Sequence, residues 1–154
     1  MHRLQSPQAV AYATMNPDHQ PHHAFLEHTG EERLLVHSPT LAGLFTESAR
    51  ALAQLQGVTD STPAEAEWRP VEVTATDSAG LLVEWLNELI FLAERERWVP
   101  MEFKIDLMTP TRLRVWGRGP TLADPPSRVK AATRHGLEVV RHDAGYRGEV
   151  VLDV

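Results

Sequence analysis

The most strongly periodic stretch of the chain is LLVEWLNELIFLA, residues 81–93. Its apolar residues recur at steps of three and four, the spacing that places side chains on one face of an α-helix. Asp77 or Ser78 stands just before it and can cap the helix N-terminus. We therefore predict an amphipathic helix that runs to about Arg95 and buries a broad apolar stripe. The stripe consists of Leu81, Leu82, Trp85, Leu86, Leu89, Leu92 and Ala93.

A second helix is predicted upstream of this one. Ser38 offers an N-cap, and Pro39 suits the first helical position. Gly57 is the residue type that most often follows a helix C-terminus. The apolar residues between them again fall at steps of three and four, at Leu41, Leu44, Phe45, Ala49, Leu52 and Leu55.

Other segments alternate apolar and polar residues, which is typical of half-buried β-strands. Residues 25–37 predict one or two strands with a turn near Gly30, and residues 71–76 predict another. Residues 101–108 and 113–115 flank a Thr-Pro-Thr turn and predict a hairpin. The alternating apolar residues of its first strand are Phe103, Ile105 and Leu107.

The C-terminal segment admits two interpretations. Residues 128–141 could form a helix, but their β-branched residues and a central Gly136 lower the helix propensity. Asp143-Ala144-Gly145 is a good turn, and residues 146–154 alternate apolar and polar side chains after it. We therefore prefer a long terminal hairpin whose last strand ends the chain.

Two helices and about six strands predict an α+β fold. We expect a two-layer sandwich, in which a mostly antiparallel sheet of about six strands carries the two main helices on one face. Residues 1–22 contain three prolines and show no sustained period, so we predict a disordered tail before a domain of residues 23–154. Met15 is an alternative start of translation.

Composition limits the functional classes. The longest apolar run, residues 89–93, is far too short to span a bilayer, and the N-terminus shows no secretory signal pattern. The absence of cysteine excludes disulfides and thiolate metal sites. We expect a cytoplasmic protein that does not contact membranes.

The net charge of −6 argues against autonomous binding of nucleic acid, because phosphate contacts supply most of the affinity of such proteins. Basic residues nevertheless gather in residues 112–118 and 128–141. These segments form either a local basic face or a solvated strand edge of alternating charge.

Signatures of common enzyme classes are missing. The chain contains no Gly-rich phosphate loop, no HExxH, no GxSxG and no cysteine nucleophile. His135 or His142 could pair with Asp106 or Asp143 for acid–base chemistry, which leaves a hydrolase as a minor hypothesis.

Two groups of residues could bind metal. Histidines at positions 19, 22, 23 and 28 form either a metal site or a histidine-containing tail. At the other end of the chain, Asp153 and the terminal carboxylate of Val154 bring hard oxygen ligands together, of the kind preferred by calcium, magnesium or manganese. A complete site there requires another carboxylate from a distant strand.

Several segments resemble one family. Residues 81–89, LLVEWLNEL, are similar to the LLVDWLNEL helix of the archease family. Residues 130–139, KAATRHGLEV, resemble its KAVTYHGLEV segment, and residues 150–154, VVLDV, resemble its terminal VIFDI. His28, Thr29 and Leu34 keep the frame of its HTADVGI motif. The resemblance extends over residues 23–154.

The resemblance implies a function. Archeases are small proteins that assist RtcB-type RNA ligases, which join tRNA halves after intron removal and reseal broken RNA. They promote the metal-dependent guanylylation and the turnover of the ligase and are not enzymes themselves, so contact with RNA is expected only through the ligase. The resemblance assigns Glu31, Asp153 and Val154 to a site for a divalent metal (calcium, or manganese or magnesium). It places Lys130 toward the ligase or the nucleotide.

The chain departs from the family pattern near this site. Glu31 replaces an aspartate, which keeps the charge and adds one methylene of reach. Glu32 replaces an apolar residue and Arg33 replaces a glycine. Arg118 stands where the family tends to carry an acidic residue. These departures leave open an alternative, a diverged interaction module with the archease fold that has lost metal binding and ligase activity.

Overall fold

The structure is a computed structural model that describes residues 20–154 except Thr29 and Ser127. This part of the chain forms seven strands and two helices. In chain order they are β1 (His22–His28), β2 (Glu31–Ser38), α1 (Leu41–Leu55), β3 (Arg69–Thr74), α2 (Ser78–Glu96), β4 (Glu102–Thr109), β5 (Arg112–Arg118), β6 (Ala131–His142) and β7 (Gly145–Asp153).

The strands form two antiparallel sheets. Sheet A has the order β1-β2-β7-β6, and sheet B has the order β3-β5-β4. The α+β class is therefore confirmed, but the strands divide between two sheets where we expected one of about six strands. An alternating pattern identifies a strand but not the strands that pair with it. For example, β3 pairs with β5, although α2 lies between them in the sequence.

The helices lie between the two sheets. Helix α1 packs on β2 and β7 of sheet A, whereas α2 packs on β6 of sheet A and β3 of sheet B. The apolar stripes predicted for both helices face one core, although Leu41 is only partly buried and Ala93 belongs to a second, smaller cluster with Ala53 and Val99. At its centre the indole N–H of Trp85 donates to the carbonyl oxygen of Phe45 at 2.9 Å, which satisfies the one polar atom of a fully buried ring.

The helix ends confirm most of the sequence signals. Asp77 caps α2, because its Oδ1 accepts from the N–H of Gly80 at 2.7 Å. Gly57 follows α1 with a φ of 77°, a left-handed value that glycine adopts readily. The cap of α1 was predicted wrongly. It is Thr40, whose Oγ1 accepts from Gly43 N at 2.9 Å, because Ser38 is still the last residue of β2.

Strand β4 departs from simple alternation. A register shift between Ile105 and Leu107 places Leu107 opposite Arg114 and Met108 opposite the buried Leu113. The bulge leaves Ile105 41% exposed. The three alternating residues predicted for this strand therefore do not share one face, since one extra residue reverses the side on which the next side chains lie.

The C-terminal hairpin is confirmed. Strands β6 and β7 pair along most of their length and turn at Asp143 and Ala144. The pairing is interrupted between Thr133 and Glu138, where Gly136 has a φ of 66°. At the other end of the chain His22 already belongs to β1. The predicted tail over residues 1–19, with Met15, lies outside the described residues.

No helix in the described part of the chain is both long and apolar enough to cross a membrane.

Candidate functional site

Glu31 and Asp153 lie opposite each other where β2 and β7 end. Along β2 the buried positions are Glu32, Leu34 and Val36, so these side chains point to the core and Glu31 points away from it. We call these two sides the inner and the outer face of sheet A. The N–H of Val154 donates to the carbonyl oxygen of Gly30 at 3.1 Å. The pair is thus of the non-hydrogen-bonded kind, in which opposite side chains approach most closely.

A third strand completes this end of the sheet. Ala131 at the start of β6 is opposite Asp153, and the N–H of Lys130 donates to the carbonyl oxygen of Asp153 at 2.8 Å. The structure therefore brings the main chain of Lys130, which the resemblance places toward the ligase or the nucleotide, beside the three residues that it assigns to the metal site. We call Glu31, Lys130, Asp153 and Val154 the strand-end cluster.

The strand-end cluster has the chemistry of a hard-cation site. Two carboxylates directly opposite each other repel, and a cation between them would relieve that repulsion. Side-chain and terminal carboxylate oxygens are ligands that calcium, magnesium and manganese prefer. The described residues contain no group of three or more His, Asp or Glu side chains placed to hold a metal. Further protein ligands would have to be an oxygen of Val154 or other main-chain carbonyls, and with these the residues present fit a hard cation.

Two arginines that depart from the family pattern, Arg33 and Arg118, are each paired with a carboxylate outside the strand-end cluster. Arg33 lies on the outer face two residues after Glu31, but its guanidinium forms an ion pair with Glu149 of β7. Arg118 lies on sheet B, where it pairs with Glu102 at 3.3 Å. Neither arginine is paired with the carboxylates of the cluster.

Glu32, which replaces an apolar residue of the family pattern, is a buried carboxylate beside the strand-end cluster. It lies on the inner face, 4% exposed, and its Oε1 is 3.5 Å from Nη2 of Arg128. Burial raises the pKa of its carboxyl group, and the charge of Glu27 raises it further, while Arg128 lowers it in part. The sequence carries one indication of this burial, because Glu32 stands two residues before Leu34 in the alternating row of β2.

Of the N-terminal histidines, His22 and His23 have different surroundings. His23 points to α1, where its Nδ1 contacts Glu47 Oε2 at 2.6 Å and its Nε2 contacts Gln54 Oε1 at 2.9 Å. Burial lowers the pKa of His23, but these hydrogen bonds and the charge of Glu47 outweigh burial and leave the pKa raised. His22 points the other way and stacks on His37 at 5.1 Å between ring centroids. His19 and the side chain of His28 lie outside the described residues.

The residues of the minor hydrolase hypothesis lie in different surroundings. His135 is exposed in the irregular part of β6. His142 lines a cavity of about 370 Å³ beside the N-terminus of α1, together with Asp143. Its Nδ1 accepts the N–H of Ala144 at 3.3 Å, so this nitrogen is already engaged by the main chain. Asp106 lies on sheet B and pairs with Arg114 at 2.8 Å.

The basic residues of 112–118 form a ladder of ion pairs. On the outer face of sheet B each arginine meets a carboxylate, so the positive charge of this face is largely balanced. The pairs are Arg112 with Glu72, Arg114 with Glu72 and Asp106, and Arg118 with Glu102. For this segment the structure favours the solvated edge of alternating charge over a basic face.

Comparison with known proteins identifies the family. Residues 23–154 match the model of the "Archease protein family (MTH1598/TM1083)". The chain belongs to the archease family. An archease of Methanosarcina mazei is 27% identical over 146 residues, which cover 90% of this chain and 99% of that protein. An archease of Methanothermobacter thermautotrophicus is 32% identical over 116 residues, which cover 68% and 79% of the two chains.

Solved structures agree with this assignment. The solution structure of Methanobacterium thermoautotrophicum protein 1598 matches this archease with a TM-score of 0.63 and 26% identity, and the match covers 86% of this chain and 98% of that one. The crystal structure of a Thermotoga maritima protein, described as an archease and possible chaperone, matches over the whole of both chains with a TM-score of 0.55. Its identity of 15% extends the likeness to the fold alone.

Proposed function

We propose that this archease is an accessory protein that promotes the metal-dependent guanylylation and turnover of an RtcB-type RNA ligase, in tRNA splicing or RNA repair. Family membership supports an accessory role. The observation that carries the finer proposal is the strand-end cluster, in which residues distant in sequence meet at one end of sheet A. In this proposal the archease contacts the ligase, and RNA is bound by the ligase.

The carboxylates of Glu31 and Asp153 and an oxygen of Val154 would hold one divalent cation, which is calcium, manganese or magnesium. A bound cation supplies positive charge at the tip of the strands and can polarise an oxygen of the partner. The protein contributes a rigid support, because the Val154 N–H to Gly30 bond and the Lys130 N–H to Asp153 bond fix the main chain on both sides of the carboxylates.

Lys130 would present its ammonium group to the partner. The side chain is exposed, and its main chain is tied to Asp153. An ammonium group at the end of a flexible stem is a suitable point charge for a nucleotide phosphate or a carboxylate of the ligase. The proposal thus combines a cation-binding group and a phosphate-binding group at one edge of the molecule.

The direct test is a guanylylation assay with the RtcB-type ligase of the same organism, radiolabelled GTP and Mn²⁺. The measured quantities are the rate of formation of the ligase–GMP adduct and the number of joined RNA ends per ligase. We expect this archease to accelerate both and Asp153→Ala to lose the effect. Asp60→Ala, at an exposed aspartate in a loop, is the matched control and should behave as the wild type. Absence of any acceleration by the wild-type chain would refute the proposal.

The alternative is an interaction module that has kept the fold and lost metal binding. Calorimetric titration with calcium or manganese separates the two functions. Metal binding that disappears in Glu31→Ala speaks against the alternative, since Glu31 is the position at which the family pattern has changed.

A further inference from the structure

A second pair of carboxylates lies on the inner face of sheet A, behind the strand-end cluster. Glu32 is opposite Glu27 of β1 on one side and Leu152 of β7 on the other. Directly opposite residues of antiparallel strands project to the same face, with Cβ atoms about 5 Å apart. The two carboxylates therefore stand side by side on the inner face.

Glu32 is the less accessible member of this pair. Its side chain is nearly buried, and its Oε2 has no hydrogen-bond partner among the described residues. A buried acceptor without a partner destabilises a fold, and does so more strongly when it is charged. A positive group between this oxygen and the second carboxylate would stabilise both.

The protein supplies that positive group only in part. Arg128 approaches Oε1 of Glu32 at 3.5 Å and is itself mostly exposed. One guanidinium therefore stands against the two carboxylates of Glu27 and Glu32. Glu27 is exposed, so this face is open to ions from solvent at its edge.

We propose that Glu27 and Glu32 bind a second divalent cation on the inner face of sheet A, with water completing its coordination. The ligand class is a hard cation, because both ligands are carboxylate oxygens. Two carboxylates and water make a weak site, with a dissociation constant on the order of 10⁻⁴–10⁻³ M. This inference does not rest on the proposed function, since it concerns other side chains on the opposite face of the same strands.

The test is an EPR titration of the full chain with Mn²⁺ alone, in which free Mn²⁺ gives the signal. The wild type is expected to bind two ions. Glu31→Gln with Asp153→Asn should leave one, and Glu27→Gln with Glu32→Gln should also leave one. The variant with all four changes should bind none. Glu65→Gln with Glu67→Gln, at two exposed loop residues, is the matched control and should bind two.

Each outcome decides the inference. If the Glu31→Gln, Asp153→Asn variant binds no Mn²⁺, the inner site does not exist. The same conclusion follows if that variant binds one ion and the variant with all four changes still binds it. If that ion is lost with the two inner changes, the inner site is supported, whether or not the ligase assay succeeds. Glu27→Gln alone serves if Glu32→Gln fails to fold, because Glu27 is exposed and its change should weaken binding at least tenfold without disturbing the core.

Discussion

Glu31 and Asp153 face each other across β2 and β7 as a non-hydrogen-bonded pair, one residue before the chain ends. The two carboxylates are 122 positions apart in sequence and are adjacent in space because β7 enters sheet A between β2 and β6. Like charges at directly opposite positions destabilise a sheet by a few tenths of a kcal/mol up to about 1 kcal/mol. A cation between the two carboxylates would relieve this repulsion.

The first prediction concerns calcium and thermal stability. Calcium in the millimolar range should raise the melting temperature of the wild type, and EDTA should reverse the increase, because binding to the folded state alone stabilises it. In metal-free buffer Asp153→Asn should be as stable as the wild type or up to about 1 kcal/mol more stable, since the repulsion is removed.

The calcium response is then compared between variants. Asp153→Asn should lose most of the calcium-dependent increase in melting temperature, whereas Asp60→Asn should keep it. An equal response in both variants would show that the strand-end cluster does not hold the ion. Differential scanning fluorimetry provides the measurement.

The second prediction separates the role of Lys130 from that of the metal ligands. Lys130→Ala should lower the acceleration of ligase guanylylation at least tenfold, because the exposed ammonium no longer meets the partner. Its melting temperature and its calcium response should match the wild type, since surface changes usually alter stability by less than about 0.5 kcal/mol.

The chain offers a natural control for this change. Its other lysine, Lys104, lies on sheet B with its ammonium 4.2 Å from the centre of the Trp68 ring. Lys104→Ala should leave guanylylation unchanged. Equal losses in the two variants would place the effect of Lys130 in overall charge and not in its position.

The third prediction concerns Glu32 in metal-free buffer. Glu32→Leu should increase the free energy of unfolding by about 1–3 kcal/mol, because replacing a poorly compensated buried charge by an apolar residue is often stabilising. The new side chain continues the inward row of Leu34 and Val36, and Arg128 remains solvated. Urea unfolding followed by tryptophan fluorescence measures the change.

Glu67→Leu, at an exposed loop position, should stay within about 0.5 kcal/mol of the wild type. Destabilisation by Glu32→Leu would mean that the carboxylate is better paired than its contacts indicate.

Local sequence signals predicted most elements of this fold. The period of residues 81–93 and the cap at Asp77 predicted α2, and the turn at residues 143–145 with low helix propensity before it predicted the β6–β7 hairpin. The division into two sheets and the bulge after Ile105 were not predicted. Strand pairing depends on contacts between distant segments, and no glycine or proline marks the bulge.

The residues of the candidate site could be predicted from the sequence, but their arrangement could not. Periodicity identified Asp153 as the end of a strand, and the resemblance supplied Glu31 and Lys130. Their meeting depends on the register of β2 with β7, which no local pattern encodes. The burial of Glu32 was not predicted, because its position in the apolar row becomes meaningful only once the inner face is known.

The last prediction follows from the contact between β1 and α1. His23 stands between Glu47 Oε2 and Gln54 Oε1, so both ring nitrogens face acceptors and the doubly protonated imidazolium fits best. Its pKa is raised above 6.5 in the folded chain.

The stabilisation that the charged imidazolium of His23 provides is therefore fully present below the pKa of the unfolded chain and is lost as the pH rises through the folded pKa. The free energy of unfolding should fall as the pH rises from 6.5 through the folded pKa of His23, and the part of this slope that His23 contributes should vanish in His23→Gln. At pH 6 that variant should lose about 1.5–3 kcal/mol, the range for hydrogen bonds to charged groups. His135→Gln, at an exposed histidine, should keep the wild-type slope. A slope unchanged in His23→Gln would show that the imidazole is neutral in the folded protein.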